Sequence, residues 1–228
     1  VRQVSNQPTL PAAILAGGRS SRLGPNKLML GICGEPLIQH TLRRVRKASR
    51  VSSAYLITSP GAVWDIMNLS GADGMIVDEF MVGPPGAVLT ALKRLGDCLI
   101  IAGDMPLIEP KVLDALINAY YEAGDKYVAC VPKVGKFLEP LHAVYRSSFA
   151  PILNAALECG TTSIQKLLKV LARSGIVATI EFETLATDAE LSLGQARNSF
   201  SNINTWRDLE LIARNLACVA DEPNGHHQ

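Results

Sequence analysis

The sequence predicts an α/β fold: a Rossmann-like, doubly wound, mostly parallel sheet in three α/β/α layers. Three observations carry that reading. Short apolar runs recur through about the first 130 residues, amphipathic stretches lie between them, and a glycine-rich loop follows the first run.

The first run, Pro11 to Ala16 (PAAILA), reads as a buried strand feeding the loop Leu15 to Lys27 (LAGGRSSRLGPNK) at its carboxyl end. Leu37, Ile38, Thr41, Leu42 and Val45 then recur at spacings of three and four with Arg and Lys opposite. This predicts a helix over 36–48 with Pro36 at its first position. Further strands are expected at Ala54–Thr58, Gly74–Val77, Cys98–Gly103 and Tyr127–Val131, with helices over 86–95 and 110–123 between them. Beyond Val131 the alternation changes. LEPLHAVY (Leu138–Tyr145) is strand-like, helices are expected around 150–158 and 163–172, and GIVATIEF (175–182) follows. This part is read as a lid or an antiparallel extension of the sheet. No repeat or linker divides the chain, so residues 1–218 are read as one domain and 219–228 as a disordered tail.

Composition narrows the function classes. The 228 residues are 48% hydrophobic and 19% charged, as expected of a globular chain with a sizeable core. A net charge of +1 gives no long-range field for a nucleic-acid backbone or an anionic membrane, and only 5% of residues are aromatic. Neither nucleic acid nor membrane is an expected partner, and any anion is held locally. Cys33, Cys98, Cys130, Cys159 and Cys218 lie far apart without zinc spacing and are read as buried thiols. No apolar stretch approaches the ~20 residues that span a bilayer, and the start VRQVSNQPTLP lacks the order of a signal peptide. A cytoplasmic protein is expected.

A glycine-rich loop after the first strand of such a sheet brings backbone N–H groups close to phosphates. Two common phosphate motifs are excluded. Gly24 is followed by Pro25, Asn26 and Lys27, which breaks the Walker A pattern; Gly17 and Gly18 are adjacent, which breaks the dinucleotide fingerprint. What remains is a long loop carrying Arg19, Arg22 and Lys27, a cation set suited to a triphosphate. A solvated basic turn is the competing reading. Asp104 directly follows the CLIIAG run, at the edge where ligands of open α/β sheets collect, and is a natural Mg²⁺ ligand. The alternative is a helix-start carboxylate before Pro106. Thr205 and Asp208 have the spacing of a capping box, with Asp in place of Glu.

The LAGGRSSRLGPNK stretch resembles the LAGGxSxRxGxxK signature of nucleotidyltransferases of the sugar-nucleotide-transferase type, most closely the molybdenum cofactor guanylyltransferases. The resemblance runs from about Ala13 to Leu211. It implies a nucleoside triphosphate bound by Leu15, Ala16, Gly17, Gly18, Arg22, Lys27, Asp78 and Asp104, with Arg22, Lys27 and Asp104 catalytic. GDMP is similar to the family's metal-holding xDxP segment, placing Mg²⁺ on Asp104. VDEFMVGPPGAV resembles a D…GPLxG segment and gives Asp78 a hydrogen-bonding role toward ribose or base, with Glu79 as the substitute; Pro85 stands in place of Leu. FSNINTWRDLE resembles NxNTPEDL with Trp206 in place of Pro, so Asn202 and Asn204 complete a metal shell (Asn204), orient the acceptor (both), or are turn residues capping the last helix. EPLHAVY resembles the acceptor-side xPLxALY, where His142 is an acceptor contact, a base, or a half-buried strand residue.

The resemblance further implies one nucleotidyltransferase domain that moves GMP from GTP to the phosphate of a pterin cofactor and releases pyrophosphate. The partners are GTP and a phosphorylated pterin. Two alternatives stand beside it: cytidylyl or guanylyl transfer to a different phosphate acceptor, and a non-catalytic nucleotide-binding regulator. Gly17 and Gly18 favour guanylyl over cytidylyl transfer, since LAAG tends to accompany the latter. Retained Arg22, Lys27, Asp78 and Asp104 argue against the regulator.

Overall fold

A computed structural model describes residues 8–17, 27–62 and 69–215. Strand β1 (Leu10–Leu15) lies inside the sheet, parallel to β4 (Val51–Thr58) on one side and to β6 (Cys98–Ala102) on the other. Beyond β4 lies β5 (Gly74–Val77), also parallel. Beyond β6 come β9 (His142–Tyr145), β7 (Ala129–Val134) and β10 (Ala178–Glu181), giving the order β5-β4-β1-β6-β9-β7-β10. Only β9 runs against its neighbours in that row. A short β8 (Phe137–Leu138) pairs antiparallel with β7, and β2 (Gly31–Ile32) with β3 (Glu35–Pro36) forms a separate hairpin.

The predicted doubly wound, mostly parallel sheet is therefore present. Side chains of β1 alternate between two cores: Ala12 and Ile14 face one, Ala13 and Leu15 the other. The first core is closed by helices α1 (Leu37–Val45), α3 (Pro110–Ala123), α6 (Phe182–Asp188) and α7 (Leu193–Asn198). The second is closed by α2 (Pro84–Leu95), α4 (Phe149–Glu158) and α5 (Ile164–Arg173). Helix α8 (Trp206–Asn215) contributes Ile212 to a smaller cluster with Ile32, Leu37, Leu107 and Ile203.

Several boundaries differ from the sequence reading for identifiable reasons. Pro36 is not the first helical residue. It pairs with Gly31 in the β2–β3 hairpin and keeps an extended ψ of 142°, so α1 begins at Leu37. LEPLHAVY is not one strand: the His142 N–H donates to the Glu139 carbonyl at 3.2 Å, and that turn separates β8 from β9. The region after Val131 extends the sheet, antiparallel in β9 and parallel again in β10. Cys98 and Cys130 are buried free thiols as expected; Cys159 is free but exposed, and Cys33, expected as a thiol, is disulfide-bonded. Cys218 and the expected tail lie outside the described residues. Among the described residues no helix is long and apolar enough to cross a membrane.

Polar anchoring is concentrated at the amino edge of the sheet. Asp97, just before β6, accepts from the Ser147 N–H at 2.7 Å and from the Tyr120 hydroxyl, and lies 3.5 Å from Arg146 Nη1. Arg146 also reaches Asp125 at 2.9 Å and stacks 4.6 Å over the Tyr120 ring. This network ties β6 to α3 and to the β9–α4 connection. Burial pushes the Asp97 carboxyl up, but the hydrogen bonds from Ser147 and Tyr120 and the Arg146 charge together hold it below the usual range. A carboxyl lowered by folding adds stability above its unfolded pKa and loses it as pH falls through the folded value. Asp97→Ala is expected to cost about 1–3 kcal/mol near neutrality. The gap to wild type should narrow as the pH is lowered from about 7 to about 3, read from urea unfolding midpoints; a gap independent of pH would contradict the assignment.

Candidate active site

The direction of winding reverses between β1 and β6, and a crevice at the carboxyl ends of those strands is where such sheets bind ligands. The end of β6 is gripped from both sides. The Ala102 N–H donates to the Leu141 carbonyl at 2.8 Å and the Gly103 N–H to the Leu15 carbonyl at 3.0 Å. The Gly103 carbonyl accepts from Thr41 Oγ1 of α1 at 2.9 Å. A Cβ at position 103 would sit 2.8 Å from the Leu15 oxygen and 3.2 Å from Leu28 Cδ1, closer than packing allows. Glycine is therefore required for the strands to deliver Asp104 immediately beyond this contact.

Lys27, opening a short 3-10 turn over Lys27–Met29, places Nζ 2.5 Å from Asp104 Oδ2 and 3.2 Å from Asn204 Oδ1. The side chains of Lys27 and Asp104 are only 12% and 18% exposed. The Ile203 N–H donates to the Asp104 carbonyl at 3.1 Å, which fixes the NINT segment against β6. Asp208 in turn accepts from the N–H groups of Asn204 (2.9 Å) and Thr205 (2.8 Å), while the Asp208 N–H donates to Thr205 Oγ1 at 3.2 Å. That is the predicted capping box, formed although Trp206 replaces a helix-starting proline. The Asn204 N–H is the largest influence holding the Asp208 carboxyl low; slight burial opposes it, and Thr205 and the Lys27 charge reinforce it.

A carboxylate oxygen and an amide oxygen thus converge on one cation. The donors are hard oxygens with a single carboxylate, the set magnesium uses when phosphates and water complete its shell. Among the described residues no three His, Cys, Asp or Glu side chains gather to hold a metal by themselves. The residues fit a divalent ion that arrives with a phosphate ligand, the Lys27 ammonium standing where both oxygens point.

The other expected residues divide. Leu15 and Ala16 are 7% and 5% exposed and offer backbone rather than side chains; the Ala16 N–H is held by the Ile57 carbonyl at 2.7 Å. Gly17 is exposed, and Gly18, Arg19 and Arg22 lie outside the described residues. Asp78 is buried at the end of β5 and commits Oδ1 to Thr90 Oγ1 (2.9 Å) and the Phe80 N–H (3.0 Å). It shapes the loop before α2, where Gly86 has no room for a Cβ against Val82 and Phe80 and Pro85 is accommodated in the first helical turn. Glu79 is turned to the surface, bonded to Arg94. Asn202 is exposed.

His142 corrects the half-buried reading. It lies in β9 between β6 and β7, is 1% exposed and stacks on Phe200 with ring centroids 4.4 Å apart. Among the described residues neither ring nitrogen has a hydrogen-bond partner. Burial lowers its pKa to about 3; the Ser199 backbone opposes this electrostatically without hydrogen-bond geometry. It presents no atom to a ligand here and is neutral near pH 7. Sequence reasoning missed Gly103, Thr41 and Thr90. Gly103 stood beside Asp104 in GDMP, and Thr41 was visible as the one hydroxyl on the apolar face of α1.

Comparison with known proteins gives the family. A family model described as a MobA-like NTP transferase domain matches residues 12–176. The chain is similar to a probable molybdenum cofactor guanylyltransferase of Thermococcus kodakarensis, 37% identical over 201 residues covering 88% of this chain and 92% of that protein. Another from Pyrococcus furiosus is 39% identical over 158 residues, 69% of this chain and 78% of that one. Among solved structures, molybdopterin-guanine dinucleotide biosynthesis protein A of Archaeoglobus fulgidus is similar with a TM-score of 0.73 at 29% identity, covering 91% of this chain and 99% of that one.

The buried histidine has a measurable consequence. Its folded pKa of about 3 lies below its unfolded value, so it costs nothing near pH 7 and destabilises the fold progressively as pH falls from about 6.5 toward about 3. His142→Leu is expected to flatten this part of the stability–pH curve, measured by thermal unfolding across that window. An unchanged acid slope would contradict a buried neutral imidazole.

Proposed function

The chain belongs to the MobA-like NTP transferase family and is a nucleotidyltransferase; from that premise we propose that it transfers GMP from GTP to the phosphate of molybdopterin, releasing pyrophosphate in a Mg²⁺-dependent reaction. The observation that carries this reading is the convergence of Lys27, Asp104 and Asn204 at the switch point of the sheet. Asp78 and Asp104 end strands three spacings apart in the row β5-β4-β1-β6, about 14 Å at the usual strand separation. A nucleotide lying along this edge has its nucleoside toward Asp78 and its phosphates toward Asp104.

The acceptor needs no base. A phosphate monoester is largely ionised at pH 7, in keeping with a neutral, buried His142. Its oxygen attacks the α-phosphorus in line, the bond to the bridging oxygen breaks, and pyrophosphate leaves with the electron pair. Asp104 and Asn204 would hold the magnesium, which supplies charge neutralisation at the phosphates. Lys27, which pairs with the same two oxygens in the structure, would stand beside the ion and contribute one positive charge toward the leaving pyrophosphate. The remaining work is orientation, done by backbone groups fixed at the ends of β1 and β6.

Isothermal titration of GTP, CTP and ATP, each with magnesium, tests the reading. GTP is expected to bind best, and its magnesium dependence is expected to vanish in Asp104→Ala. Preferential CTP binding would move the assignment to cytidylyl transfer, and no nucleotide binding would refute it. Lys27→Ala is expected to lower turnover by about 10²–10³ with little change in thermal midpoint; full turnover in that variant would remove Lys27 from the mechanism.

A further inference from the structure

Glu139 sits in the turn between β8 and β9 with its backbone pinned: its N–H donates to the Pro132 carbonyl at 2.9 Å and its carbonyl accepts from His142. The side chain is treated differently. It is half-buried, and burial pushes its carboxyl above the usual range. Among the described residues the carboxylate has no hydrogen-bond or ion-pair partner. A carboxylate withdrawn from water without a donor is unfavourable unless a ligand supplies one.

Its position says which ligand. The antiparallel register pairs Ile101 with His142, and the Ala102 N–H reaches the Leu141 carbonyl. Two residues farther along each segment stand Asp104 and Glu139. Glu139 therefore leaves the sheet at the same edge as Asp104, one strand away, on the side opposite Asp78. With the nucleotide along β5 to β6, the second substrate extends over β9 once its phosphate meets the α-phosphorus. Leu141, which packs against both cores, and Phe200, packed against the first, give this side an apolar backing suited to a flat ring.

An ionised carboxylate accepts through two oxygens and is complementary to two adjacent N–H donors. The 2-amino-4-oxopyrimidine edge, a ring N–H beside an exocyclic amine, presents such a pair. Guanine and pterin both carry it, and the side of the site distinguishes them. We propose that Glu139 is a specificity-determining residue that receives this edge of the pterin acceptor. The inference rests on the reading of the chain as a GTP:pterin-phosphate nucleotidyltransferase.

The test uses the full chain, with and without GTP, titrated with 6-hydroxymethylpterin and with 6-hydroxymethyllumazine, in which an oxygen replaces the 2-amino group. Parallel titrations compare GTP with ITP, which lacks the same amine on the purine. Wild type is expected to prefer the pterin by about tenfold or more. Glu139→Gln is expected to bring that ratio to within about twofold of unity while the GTP/ITP ratio and thermal midpoint stay unchanged. Glu139→Asp, which keeps the charge, should retain part of the preference. No pterin preference in wild type, its survival in Glu139→Gln, or a shift in the GTP/ITP ratio instead would overturn the proposal. Failure of wild type to bind GTP would refute the nucleotide reading on which this proposal rests, whereas GTP binding without a Glu139-dependent pterin preference would overturn this proposal alone.

Discussion

Position 103 has no room for a side chain. Leu15 of β1 and Gly103 at the end of β6 approach through a direct backbone hydrogen bond of 3.0 Å, with Leu28 and Ile38 packed around the site of the missing Cβ. Thr41 locks the same glycine to α1. Because three elements meet there without slack, the residues that follow each strand are placed relative to one another by rigid backbone rather than by their own side chains. Lys27 and Asn204, separated from Asp104 by 77 residues and from Lys27 by 177 respectively, meet only because this contact and the Ile203–Asp104 bond define the floor beneath them.

The two edges of the sheet differ in how fully their polar groups are satisfied. At the amino edge Asp97, Tyr120 and Arg146 satisfy one another and the surrounding backbone. At the carboxyl edge the polar groups are less complete: a lysine bridges a carboxylate and an amide, Asp104 keeps partial exposure, and Glu139 has no partner among the described residues. Groups left short of partners where a sheet switches direction are groups available to a ligand. The division between the two ends follows from the shared direction of β1, β4, β5, β6, β7 and β10.

Much of this was legible from residue order. Apolar runs announced the parallel strands because strands covered on both faces need no polar alternation, and the position of Asp104 followed from its place after CLIIAG. The Thr205–Asp208 box could be read because capping is local. Long-range placement could not. LEPLHAVY looked like one strand, yet the turn at Glu139 divides it and β9 enters between β6 and β7, burying a histidine that alternation alone left half-exposed. Lys27 was legible as a cation of the glycine-rich loop but not as the partner of Asp104 and Asn204, since no periodicity spans such separations. Asp78 was legible as an acidic residue at a strand end; that one of its oxygens already serves Thr90 and Phe80 depends on how α2 packs back.

The central claim is that this edge joins a guanine nucleotide to a phosphorylated pterin, and pyrophosphate release measures it most directly. The full chain with magnesium and the phosphorylated pterin should release pyrophosphate from GTP in proportion to acceptor consumed, with little from CTP and little when the acceptor is omitted. Pyrophosphate from CTP in preference, or none from any nucleotide in the presence of the acceptor, would contradict the account.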